Sequence, residues 1–219
     1  MEAAVNTDEQ FDRPGVQTPE SARQRAQKRA KQLFAAAALA LAASILFPYW
    51  HLKLTAPQFP SGLNVSAYVN RLAGDVQELE GLNHYVGLPS FDDGATLERA
   101  VSIFGILMLA ALLFASWFIH SRKVLLVALP TLVFPIVFVI DLQYWLWNYG
   151  HSLDPRAPLS GAVGEFTPPV FGPGKIAQFE TAAWPGVGLM LSVVAVGFVG
   201  AGLWFHRKAY KPAEEAGAA

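Results

Sequence analysis

Four apolar runs, 33–50, 100–119, 124–147 and 186–205, constrain this chain more than any other feature of it. A hydrocarbon core of about 30 Å is crossed by about 20 helical residues rising about 1.5 Å each. All four runs suit that length, the first only just. The expected class is therefore an all-α membrane protein: four transmembrane helices with a small mixed extracytoplasmic cap formed by two long loops, 51–99 and 148–185. A polar segment, 1–32, precedes the bundle and a short tail, 207–219, follows it. The first run could instead be a signal peptide. Its charged preamble is long, however, and Ile45-Leu46-Phe47 carries the apolar character past any small-residue cleavage site, so an uncleaved anchor is expected.

Charge supports that reading. Only 15% of the chain is charged while 53% is hydrophobic, against about a quarter charged in ordinary globular chains. The net charge of −1 offers nucleic acid no basic face. Six Lys and Arg lie in 1–32, two in Ser121-Arg122-Lys123 and three in the tail, against five in the two longer loops. By the positive-inside rule both termini and the short turn are cytoplasmic and the long loops face outward, in a bacterium from the inner membrane into the periplasm. The absence of cysteine excludes disulfides, thiolate zinc sites, iron–sulfur clusters, thiolate-bridged copper centres and C-x-x-C-H haem attachment.

Within this frame several local signals stand out. Thr18-Pro19-Glu20 marks a helix start in water, with a hydroxyl cap, proline at the first turn and an acid at the positive end of the dipole. The opening residues before it are too polar to order themselves. Leu63, Val65, Ala67 and Val69 alternate with polar neighbours and predict a short strand or extended segment. Asp75-Val76-Gln77-Glu78 reads as a capping box opening a short helix that ends near Gly87, on which Glu80 and His84 share a face. The loop 148–185, dense in proline and glycine, is expected to be irregular. Pro130 and Pro135 predict a kinked third helix. Gly197, Gly200, Ala201 and Gly202 predict close packing of the fourth.

The residues able to carry chemistry gather in Pro48-Tyr49-Trp50-His51, in Asn83-His84-Tyr85-Val86-Gly87 and in the stretch Asp141 to Pro155, all expected at the outer rim. His51, His84 and His151, with Asp154 or Asp141 nearby, have the donor chemistry for copper, zinc or iron. None of these histidines shows the close spacing of a metal motif, and hydrogen bonding to loop carbonyls is the alternative for each. Axial ligation of b-type haem by His51 with His151, or by His120 with His206, is a second reading. A third has no chemistry: Tyr49, Trp50, Tyr144, Trp145, Trp147 and Tyr149 are interfacial aromatics that could also anchor a periplasmic partner. Asp141, inside the third apolar run, is expected to face the bundle interior with a partner, either as a functional carboxylate or through a structural hydrogen bond to Tyr or a Trp indole at the mouth. No catalytic triad, phosphate loop or zinc-protease motif is present.

Leu54-Thr55-Ala56-Pro57-Gln58-Phe59-Pro60-Ser61-Gly62-Leu63, Gly74-Asp75-Val76, Leu82 to Gly87, Tyr149 to Pro158 and Pro168-Pro169 together resemble a family of small membrane proteins encoded beside nitrous-oxide reductase and its copper-insertion machinery. The resemblance spans about residues 47–186. It implies a membrane accessory factor for copper handling or for maturation of nitrous-oxide reductase or a related respiratory copper enzyme. On that expectation His51, His84 and His151 would be copper ligands, with Asp154 and Asp141 as auxiliary carboxylates. The alternatives are a non-catalytic scaffold or docking subunit of a respiratory membrane complex and, third, a b-haem electron carrier. Family members often carry methionine where this chain has Leu88, so a soft thioether site is not expected here.

Overall fold

The computed structural model describes residues 19–121, 123–176 and 178–216. Helix α1 spans Pro19–Ser44, starting where the sequence signal placed it; Thr18 and the acidic opening stretch lie outside the described residues. Three further long helices are α3, Thr96–Ala115, extended by a 3-10 turn Ser116–Phe118, α4, Val124–His151, and α6, Val187–Ala216. The stretches Thr96–Phe118, Val124–His151 and Val187–Tyr210 are long and apolar enough to cross a membrane. The protein is thus mostly helical, with three span-capable helices rather than the expected four. The first run, 33–50, is helical only to Ser44. Its apolar helical part, 33–44, rises about 18 Å at 1.5 Å per residue, and the preceding turns carry Lys28, Arg29 and Lys31.

The second departure from expectation is a sheet. Strands β1 (Trp50–Ala56), β2 (Phe59–Ala67), β3 (Leu72–Gly74), β4 (Gly172–Ile176) and β5 (Phe179–Pro185) form one antiparallel sheet in the order β3-β2-β1-β5-β4. The all-α class and the irregular second loop are both corrected by it, since both long loops contribute strands. Gly172 and Pro173 do not prevent this because β4 is an edge strand, where a missing donor is tolerated. The predicted strand around Leu63 is the second half of β2.

Successive strand residues point to opposite faces. Trp50, Leu52 and Leu54 pair across with Ala67, Val65 and Leu63 and with Pro185, Ala183 and Thr181, forming an apolar inner face. His51 and Lys53, paired with Ser66 and Asn64, lie on the outer face. The inner face packs on Val139, Leu142 and Leu146 of α4 and on α2, Val76–Val86, through Leu79 and Leu82. As expected, α2 starts after Asp75 and stops at Gly87, which is left-handed at φ 89° and returns its N–H to Asn83 O. The capping box, however, does not form. Asp75 Oδ2 accepts from Asn64 N at 2.8 Å instead, tying the helix start to β2.

In the bundle α1 packs along α6, with α3 against α1 and α4 against α6. Phe34, Leu41, Tyr49, Ile106, Leu113 and Val199 are sealed in its core. Of the small residues expected to bring helices together, Gly202 does so: a Cβ there would sit 3.0 Å from the Phe34 ring. Gly197 and Gly200 are exposed, and a Cβ at either would meet nothing within 4 Å. The tighter glycines lie at the start of α6. Gly186 N donates to Tyr49 O at 2.9 Å and Gly188 N to Pro48 O at 2.8 Å. A Cβ on Gly188 would come within 2.6 Å of Phe47 O and closer still to the Tyr49 ring.

Overpacking of this kind typically costs about 1–3 kcal/mol. Gly188→Ala is expected to lower the thermal unfolding midpoint of the detergent-solubilised protein by several degrees, whereas Gly197→Ala leaves it unchanged. Equal midpoints for the two variants would remove the helix–sheet seam from this account.

Candidate functional site

The three aromatic and histidine-rich patches do meet at one end of the helices. The chain leaves α2 along the last turn of α4 and the segment after it: Asp154 N donates to Gly87 O at 2.8 Å, and Leu159 N to Tyr85 O at 3.0 Å. Tyr149 donates its hydroxyl to Ser90 O at 2.9 Å and lies tilted against the rings of Phe91 and Trp145. Gly94 makes room for that hydroxyl, since a Cβ there would overlap it. Backbone bonds thus join 83–94 to 149–159 into one cap.

The side chains expected to converge do not. His51 follows Trp50 by one residue and so projects from the opposite sheet face. It bonds Ser66 Oγ through Nδ1 at 2.9 Å and stacks on Trp184, ring centres 5.6 Å apart. His84 is exposed on α2, edge-on to Tyr85. Its helical neighbour Glu80 turns elsewhere, accepting from Phe91 N at 3.2 Å. Asp154 is exposed and accepts from Arg156 N at 2.9 Å, closing a local turn. Asp141 lines a cavity of about 500 Å³ between the sheet and the helices. Among the described residues no group of three His, Asp or Glu side chains could hold a metal ion. The five-residue site centred on His51, His84 and His151 is therefore not assembled.

The haem pairs fare no better. His51 and His151 belong to different surfaces, as above. His206 is buried, hydrogen-bonded through Nε2 to Ile119 O at 3.0 Å, and both it and His120 lie against the Tyr210 ring, with centres 4.5 and 5.5 Å away. A porphyrin clamped by that pair would have to displace Tyr210.

His151 is the exception. It closes α4, with Nδ1 against Trp147 O at 2.8 Å and its ring stacked on Trp147 at 4.8 Å. A carbonyl can only accept, so Nδ1 carries a proton, and in the neutral form of the ring the lone pair lies on Nε2. That atom lies 3.9 Å from Glu165 Oε2. Glu165 had no signal in the sequence: it is a lone acid in a proline- and glycine-rich stretch. It reaches His151 because Phe166 N donates to Gly150 O at 3.1 Å, an approach so close that a Cβ on Gly150 would press on the Phe166 carbonyl. The arrangement presents one imidazole nitrogen and one carboxylate to solvent, with the imidazole oriented from behind by a carbonyl. That backing is typical of metal-ligating histidine.

Compared with protein-family models and with curated proteins, the chain gives no match.

Gly150→Ala must push the 165–166 backbone outward and separate Glu165 from His151. Limited proteolysis is expected to cut that variant faster near residue 165 than the parent, with the bundle intact. Tyr149→Phe, which strands the Ser90 carbonyl, should cost about 1 kcal/mol of stability in chemical unfolding.

Proposed function

We propose that this chain is a four-pass protein of a bacterial inner membrane that serves a periplasmic respiratory copper enzyme, of the nitrous-oxide reductase kind, as an accessory factor. Crossing by α1 is supported by its packing along α6 over the apolar stretch 33–44. At its charged end a belt of cations over aromatic rings marks the water boundary: Arg23 over Tyr210, Arg29 over Phe205, Lys31 over Trp117 and Lys208 over Trp204, all within 6 Å. With the basic termini cytoplasmic, the sheet and α2 lie outside.

The observation that carries the copper reading is the oriented His151 Nε2 facing Glu165. Their 3.9 Å separation is one that two bonds of about 2 Å can bridge. Imidazole and carboxylate suit copper in its divalent state better than a soft monovalent ion. Two ligands make half a site. A partner's own ligands would complete it, which is what hand-over of a metal between proteins requires. A docking role without metal is the second reading, favoured by the exposed rings of Tyr85, Trp147 and Trp184 on the cap.

Titration of the purified full chain with copper(II) is expected to show one site per chain that His151→Ala or Glu165→Gln weakens about tenfold or more, while His51→Ala leaves it intact. Copper bound as tightly by the His151→Ala variant would end the metal reading. No copper uptake, with a periplasmic protein co-purifying, would favour docking. Because the chain has no cysteine, single replacements report sidedness cleanly. Ser152→Cys should react with an impermeant maleimide added outside spheroplasts and Ser121→Cys only after lysis; the reverse pattern would invert the protein.

A further inference from the structure

The cavity beside Asp141 is not used by anything described so far. It lies between the inner face of the sheet, α2 and the outer halves of α3 and α4, with a volume of about 500 Å³ and walls that are almost wholly apolar, among them Leu52, Val65, Phe138 and Leu146. Native interiors hold few voids larger than a water molecule. An apolar void does not welcome water, and left empty its walls forfeit dispersion contacts. A cavity of this size and lining has the dimensions and apolar walls of a small-molecule site.

Its position identifies the ligand class. Although α3 and α4 are joined by a short turn, they touch over only a short stretch, and the cavity opens in the fork between them. Val101 of α3 and Val137 of α4 line the cavity and are also 51% and 55% exposed on the outer surface of span-capable helices. The mouth therefore faces hydrocarbon, and what enters comes from the bilayer. Four charged residues line the cavity, Arg71, Glu98, Arg99 and Asp141, and their formal charges cancel. Among the described residues neither carboxylate is ion-paired to either guanidinium. Arg99 donates to Asp92 O and Arg71 lies over the Tyr68 ring, 4.2 Å from its centre. Such a rim offers donors and acceptors together with no net field, so it favours a head group that is polar and electrically neutral over an anionic one.

We propose that this cavity binds one electrically neutral amphiphile of the membrane, which enters laterally between α3 and α4, lays its hydrocarbon chain in the apolar chamber and sets its head among Arg71, Glu98, Arg99 and Asp141. An isoprenoid quinone and a zwitterionic phospholipid share that chemistry.

The full chain in detergent, offered equimolar phosphatidylethanolamine, phosphatidylglycerol and a ubiquinone with two isoprene units, is read by native mass spectrometry. One neutral molecule should be retained per chain; its mass tells the quinone from the phospholipid. Val137→Trp, which blocks the mouth from a surface position, should lower retention about tenfold, equivalent to the cost of overfilling a packed site. Leu107→Trp, also exposed on α3 but not lining the cavity, should not. Phosphatidylglycerol retained as well as the neutral molecules, no molecule retained, or equal retention by Val137→Trp and the parent would each overturn the assignment.

Discussion

Everything at the sheet-bearing end of this protein depends on the seam where two helices become two paired strands. Helix α1 runs through a turn into β1, β5 runs into α6, and the two helices pack together as the two strands pair. The first amides of α6 have no carbonyl of their own helix to bond. Gly186 and Gly188 give theirs to Tyr49 O and Pro48 O, so the strand ladder passes into the helix start without a break. Only glycine permits that approach. Tyr49 locks the same point from the other side, fully buried, its hydroxyl 2.6 Å from Ser44 Oγ and its ring against Phe134 and Phe138. A sheet held this way cannot tilt freely over the bundle.

The seam also explains why there is a chamber below the sheet. Helices α1 and α6 are continued by strands, whereas α3 and α4 are not, and their outer halves are free to diverge. What fills the fork is partly protein, from α2 and Phe91, and partly empty space. Glu98 and Arg99 stand where the apolar run of α3 begins, and Asp141, within the apolar run of α4, borders this chamber. Facing a chamber rather than lipid is what makes such an acid tolerable near a bilayer.

Much of this was legible in the residues. Length and hydropathy located α3, α4 and α6; proline at residue 19 located the start of α1; and Gly87 located the end of α2. The sheet was not legible, for identifiable reasons. The central pair, β1 and β5, joins residues about 130 positions apart, and no local pattern announces a distant partner. An apolar run cannot by itself separate the end of a helix from a strand that continues it, and the run 33–50 passes through the end of α1 to Trp50, which opens β1. Proline and glycine at β4 suggested irregular chain because their tolerance depends on lying at an edge, a property of the assembled sheet.

The same limit governs the site. His51 sits beside Trp50 in the sequence, and depth in the membrane predicted that the two would share a neighbourhood. In a strand, adjacency means opposite faces, so the burial of Trp50 against α4 is what sends His51 away from the other histidines. Of the histidines at this rim, His151 is the one set against a carboxylate. His151 has its proton placed by Trp147 O, its ring held by Trp147, and a carboxylate delivered by a backbone bond to Gly150. Each of those features depends on α4 running one turn beyond the apolar stretch, through Gly150 to His151. Ending the helix at Trp147 would leave the Trp147 carbonyl without the imidazole and Glu165 without a neighbour. The extra turn is thus what fixes the orientation of the His151 imidazole at this boundary.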